Sequence, residues 1–163
     1  MRSVLLDTSF CIRLLKKDEP LHQNAIEYFQ YFLEQKIELY ISTIAIAEYS
    51  VKDDPVNLPL KMMKIIPFDF FDGKTAGEFH SILLEQKNKT QDIDRNVVKD
   101  DCKLIAQLYN RKIEGYITKD RKSFSQIIKP ITEIRGFSIE LIDFSFSLKE
   151  YKGDSQPVGI YGR

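Results

Sequence analysis

Four acidic residues spread along the chain, Asp7, Glu48, Asp101 and Asp120, are the side chains best placed to do chemistry together. The chemistry open to such a group is the holding of a hard divalent cation. Mg²⁺ takes oxygen ligands, commonly one or two carboxylates with waters and phosphate oxygens, and Mn²⁺ shares that preference. Carboxylates held close would repel one another without a cation between them.

Helical spacing separates these acids from ordinary surface charge. Asp101 lies four residues after Val97, three after Val98, three before Leu104 and four before Ile105. It is centred on an apolar stripe and is expected to point into the protein. A lone buried carboxylate is costly or becomes neutral, and a cation removes that problem. Its neighbour Asp100 is the alternate acid, about 100° round the helix and nearer the rim. Glu48 repeats the pattern, with Ile44, Ala45 and Val51 at offsets of minus four, minus three and plus three. It too is expected to face inward; a buried ion pair with Lys or Arg is its alternative. Asp7 and Asp120 follow apolar runs, and each has a plain alternative as a turn or cap residue.

Other chemistries have less support. Cys11 and Cys102 offer neither metal-binding spacing nor a disulfide framework, and each is expected on an apolar helix face. His22 and His80 are isolated. There is no glycine-rich phosphate loop and no Gly-x-Ser-x-Gly. A strand followed by Asp also opens phosphatases of the haloacid dehalogenase type, but those need a second acid two residues on, where this chain has Ser9. With 24 basic and 24 acidic residues, net charge is zero, which argues against nucleic-acid binding through global charge. Local basic clusters remain: Arg13, Lys16 and Lys17; Lys87 and Lys89; Arg111 and Lys112; Lys119, Arg121 and Lys122. Each cluster reads equally as a solvated face.

The elements that must position these residues alternate along the chain. Val4-Leu5-Leu6 reads as a buried strand, and Thr8 or Ser9 as the cap of a helix reaching 17. A helix is expected near 21–35, a strand over 37–41, and a helix from Ser42 or Thr43 to about 51. Within 56–71, 60–63 reads as helical and 65–68 as extended. Helices follow over 72–87 and 94–111, with a polar loop at 89–92 between them. A strand is expected over 116–118, one or two helical turns over 123–128, and a last strand over 139–144. This is an α/β chain, with a mainly parallel central sheet covered by helices on both faces. Such sheets place their sites beyond the carboxyl ends of the strands, where strand order reverses. The length of 163 residues suits one domain, taken as 1–148 with an irregular tail over 149–163. No apolar run approaches a membrane span and no signal peptide precedes Asp7, so a cytoplasmic protein is expected.

Four segments carry a resemblance: Leu5-Leu6-Asp7-Thr8-Ser9, Ser42-Thr43-Ile44-Ala45-Ile46-Ala47-Glu48, Asp101-Cys102-Lys103-Leu104-Ile105-Ala106 and Ile117-Thr118-Lys119-Asp120-Arg121-Lys122-Ser123-Phe124. In order and spacing, over residues 1–144, the chain resembles the PIN-domain family of metal-dependent nucleases, and within it the VapC-type toxins. No single segment is specific; the four in order are. The resemblance implies a three-layer α/β/α fold, a Mg²⁺ or Mn²⁺ site, cleavage of single-stranded RNA, a homodimer and a cognate antitoxin. It implies that Asp7, Glu48, Asp101 and Asp120 form the acidic site, supported by the hydroxyls of Thr8, Ser9 and Thr118. Arg13, Lys119, Arg121 and Lys122 are then candidates for RNA-phosphate contacts.

The chain departs from the pattern in three places. The stretch from Asp101 to Asp120 is about one residue longer than in the toxins, the region 52–72 matches nothing in them, and the tail is longer. Two other readings keep the fold: an RNA-processing or repair nuclease without an antitoxin, and a binding module with a degenerate site. Tyr28, Tyr31 and Phe32 are expected at a dimer or antitoxin surface or, equally, in the core.

Overall fold

The structure, a computed structural model, describes residues 1–87, 95–153 and 159–161. The polar loop expected at 89–92 and the basic residue Lys89 lie outside the described residues, as do the side chains of Lys87, Val97 and Val98.

The first strand, β1 (Ser3–Leu6), is buried along its whole length, as its apolar run requires. It leads into α1 (Thr8–Leu15), capped by Asp7 rather than by Thr8 or Ser9. The helix α2 (His22–Glu34) precedes β2 (Glu38–Ser42), and Ser42 caps α3 (Thr43–Tyr49) by accepting the Ile44 N–H. Within 56–71, Leu60–Met62 forms a 3₁₀ turn and β3 (Lys64–Ile66) a short strand. Two long helices follow, α4 (Phe70–Lys87) and α5 (Arg95–Arg111), then β4 (Gly115–Thr118).

Two expectations are corrected here. The one or two turns expected over 123–128 lie in the first half of α6 (Arg121–Arg135), which runs on through Pro130. Proline removes one helical N–H, but Ile127, Ile128 and Ile131 are all buried on the sheet and hold the helix on both sides of it. The helix stops at Gly136, whose left-handed backbone (φ 68°) lets its N–H reach the Thr132 carbonyl. After β5 (Ile139–Asp143), the tail is not irregular throughout. It forms α7 (Leu148–Lys152), opened by a reciprocal capping box between Ser147 and Glu150, and β6 (Gly159–Tyr161).

The sheet has six strands in the order β3-β2-β1-β4-β5-β6. Every pairing is parallel except the last, where β6 runs antiparallel to β5. Alternation along the strands divides the core in two. Val4, Leu6, Ile117 and Ile142 pack against α1, α2 and α3, whereas Leu5, Tyr116 and Leu141 pack against α4, α5 and α6. This is the expected three-layer α/β/α arrangement. Strand order reverses between β1 and β4, so a crevice opens beyond their carboxyl ends.

The aromatic face of α2 belongs to the core. Tyr28 and Phe32 are fully buried, and the Tyr151 ring of α7 lies 5.6 Å from Tyr28 and 6.4 Å from Tyr31. On the opposite face, Asp72 is wholly buried near the start of α4. Its carboxylate accepts from Asn110 Nδ2 at 2.9 Å and from both terminal nitrogens of Arg111 at 3.1 and 2.9 Å, tying α4 to the end of α5.

Candidate metal centre

Asp7 begins where β1 ends. Its backbone N–H donates to the Ile117 carbonyl of β4, so the reversal point of the sheet fixes its position directly. The carboxylate does two jobs at once. It caps α1 by accepting the Ser9 N–H at 3.4 Å, and it gathers hydroxyls from α1 and from β4. Oδ2 accepts from Ser9 Oγ and from Thr118 Oγ1 at 2.9 Å; Oδ1 accepts from Tyr116 Oη at 3.0 Å. Thr118 Oγ1 in turn accepts the Asp120 N–H at 3.0 Å. Asp120 stands at the cap position of α6, yet its carboxylate makes no capping hydrogen bond and is exposed. The plain cap reading therefore does not account for its side chain.

Glu48 was expected to face inward and does not: it is exposed, in the last turn of α3. The inference leaned on Val51, which lies beyond the helix in a turn and is 82% exposed. Glu48 instead reaches across to α1, where it accepts the Thr8 hydroxyl; Thr8 is itself buried. Asp101 is half-buried on α5, with Cys102, Leu104 and Ile105 buried around it. Its carboxyl is pushed from 3.8 to about 7, first by burial and then by repulsion from Asp7, Asp100, Glu48 and Asp120. Asp100 is exposed and ion-paired with Lys103 at 2.8 Å. The two neighbours thus stand on different faces of α5, Asp101 half-buried and Asp100 exposed.

The acids line two adjoining hollows that share Asp7 and Asp120. The wider one, about 550 Å³, also holds Glu19, Glu48, Arg13, Lys16, Lys52 and Lys119. The narrower, about 270 Å³, holds Asp101, Tyr116, Thr118 and Ser123. Among the described residues, no three acidic, histidine or cysteine side chains are gathered closely enough to hold an ion as they stand. The donor chemistry nevertheless suits a hard cation: the acids supply oxygen only, and the Asp101 carboxyl is raised by burial and by the acids around it.

The basic residues divide. Lys119 lines the wide hollow. Arg13 lines it too, but its guanidinium is engaged with the carbonyls of Ser9 and Pro20 and with Glu19, so it braces the loop after α1. Neither Arg121 nor Lys122 lines either hollow. Lys52 does, and sequence reasoning missed it because it follows α3 in a segment with no legible pattern. Tyr116 was missed as well, although its place two residues before Thr118 puts both on one strand face.

Comparison with protein-family models and with curated proteins gave no match. Solved structures do match. A chain of the FitAcB structure from Neisseria gonorrhoeae superposes with a TM-score of 0.60 at 15% identity, over 87% of this chain and 98% of that one. A chain of DNA-bound VapBC from Salmonella typhimurium gives 0.58 at 16%, over 88% and 99%. VapBC-1 from nontypeable Haemophilus influenzae gives 0.54 at 17%, over 88% and 99%. The fold is PIN-like. Identities this low establish the shared architecture alone. In this PIN-like fold the four acids stand just after β1, on α3, on α5 and in the loop after β4, and they line two adjoining hollows where the strand order reverses.

Proposed function

We propose that this chain is a Mg²⁺- or Mn²⁺-dependent endoribonuclease that cuts single-stranded RNA, and that it serves as the toxin of a toxin–antitoxin pair. One observation carries the nuclease reading. Four carboxylates from distant parts of the chain, Asp7, Glu48, Asp101 and Asp120, line two adjoining hollows at the switch point of a PIN-like sheet, with Asp7 and Asp120 shared by both. Asp7, Asp101 and Asp120 would hold the cation on the inner side and Glu48 on the outer. A bound divalent ion would supply an activated water and charge stabilisation at a scissile phosphate. The chain's own residues do the rest. Ser9, Thr118 and Tyr116 hold Asp7 in orientation, Thr8 holds Glu48, and Lys119, Lys52 and Lys16 offer charge to flanking phosphates. Cleavage in this manner leaves a 5′-phosphate and a 3′-hydroxyl.

The test is cleavage of single-stranded RNA with Mg²⁺ or Mn²⁺, against EDTA and against Asp7→Asn. Loss of at least about a hundredfold in rate is expected for the variant; undiminished cutting by it sinks the assignment. The toxin role and a cognate antitoxin rest on the VapC resemblance and on the VapBC and FitAcB names of the structures sharing the fold. Growth arrest on expression, relieved by a small neighbouring open reading frame, separates that role from RNA processing or repair. A second reading, a binding module with a degenerate site, draws on the loose spacing of the acids. Failure to bind Mn²⁺ at millimolar concentration in calorimetry favours it.

A further inference from the structure

The geometry points to Tyr116 as a positioning residue that fixes the Asp7 carboxylate and thereby sets the affinity of the crevice for a divalent cation. This inference rests on the metal-centre reading above and adds to it a residue that none of the acidic segments contains.

Tyr116 is 2% exposed, in the middle of β4. Its ring is held in place by stacking on Phe124 of α6, with centroids 4.3 Å apart and planes 26° from parallel. The register pairs Leu5 with Tyr116, so the phenol rises along the sheet face and ends beneath the residue two positions beyond Leu5, which is Asp7. There Oη donates to Oδ1 at 3.0 Å. A buried phenol needs such a partner, and that need alone would explain the bond.

The distribution of donors over the two carboxylate oxygens argues for more. Oδ2 is taken up by Ser9 Oγ, the Ser9 N–H and Thr118 Oγ1. Among the described residues, Oδ1 has the Tyr116 hydroxyl and no other donor. A carboxylate oxygen offers about two acceptor sites. Oδ2 is therefore saturated, and Oδ1 keeps one site open, in an orientation set by the phenol. Oδ1 is the atom Asp7 would present to an ion. Partners that orient a ligating group are typically worth 10- to 100-fold in metal affinity.

The experiment is Mn²⁺ binding to the full chain by calorimetry, with wild type, Tyr116→Phe, Asp7→Asn and Tyr151→Phe. Tyr151 supplies the control, since its hydroxyl also donates to a carboxylate, Glu140, away from the crevice. Tyr116→Phe keeps the ring and its stacking, and is expected to bind Mn²⁺ about tenfold more weakly. Tyr151→Phe should stay within about twofold of wild type. If Tyr116→Phe binds as wild type does while Asp7→Asn loses the ion, the positioning role is overturned and the metal centre stands. If wild type binds no Mn²⁺, both fall. A second measurement covers a Tyr116→Phe chain that does not fold: 3-fluorotyrosine placed at position 116 and followed by fluorine NMR. Its resonance should shift on adding Mg²⁺ and return with EDTA; a resonance that ignores Mg²⁺ overturns the proposal.

Discussion

A carboxyl group raised from 3.8 to about 7 binds its proton more readily in the folded chain than in the unfolded one. For Asp101, the stability gained in this way is fully present below about pH 4 and is lost as pH rises through about 7. In metal-free buffer at pH 8 the folded chain therefore carries an uncompensated charge at the crevice. Asp101→Asn removes it. The variant should melt higher than wild type in EDTA at pH 8, by about 1–2 kcal/mol or roughly 2–8 °C, and the gap should close towards pH 4. Thermal melts across pH 4–8 check this; a variant that melts below wild type at pH 8 contradicts it. Millimolar Mn²⁺ should raise the melting point of wild type and leave that of Asp101→Asn nearly unmoved. The pattern is that of a site whose residues oppose the fold until they are used.

At the scale of elements, α5 must hold Asp101 in place, and its far end is latched by Asp72. That carboxylate is buried, with Arg111 and Asn110 as its partners. Asp72→Ala leaves Arg111 without its buried counter-charge and should cost about 3–5 kcal/mol in urea unfolding. A loss under about 1 kcal/mol would show that the latch is dispensable. Most elements could be read directly from the sequence because their patterns are local. Val4-Leu5-Leu6 could hardly be anything but a buried strand, and the stripe through Leu104 and Ile105 pointed Asp101 into the protein and set Asp100 nearer the rim. What escaped was decided by tertiary contact. Val51 looked like part of a stripe until the helix ended at Tyr49, so Glu48 was drawn inward when it stands at an open mouth. The helix α6 outruns the one or two turns expected over 123–128, because three buried isoleucines carry it past Pro130. The extended reading of 65–68 overlapped β3 at Ile65 and Ile66, and only pairing with β2 sets that strand's bounds at Lys64 and Ile66. Tyr116 read as a strand aromatic, because its hydroxyl bond spans 109 residues.

For the whole molecule, the C-terminal stretch serves as a cover. Within it, α7 lays Tyr151 against Tyr28 and Tyr31, places the Lys152 ammonium 4.3 Å from the Tyr31 ring centroid, and is followed by β6 on the β5 edge. Removing residues 148–163 bares the aromatic face of α2 and the backbone groups of β5, an edge of the kind that recruits other chains. The shortened chain should melt several degrees lower and self-associate with rising concentration in light scattering. An unchanged, monodisperse profile would show that the tail shields nothing. No helix among the described residues is long and apolar enough to cross a membrane. With zero net charge, any pull on RNA must come from local positive charge, and Lys16, Lys52 and Lys119 stand in the wide hollow. Cleavage by Lys119→Ala should accordingly weaken mainly in KM, and its dependence on salt should flatten.

The pairing of β1 with β4 also has a meaning in time. Asp7 meets its hydroxyl partners across 109 and 111 residues of chain. At about 5–20 residues per second of synthesis, Asp7 emerges from the ribosome roughly 5–20 s before Tyr116 and Thr118. Until then neither the strand that orients it nor the loop bearing Asp120 exists. An unfinished chain therefore cannot assemble the crevice, and the nuclease activity proposed for it could begin only once most of the chain has been made.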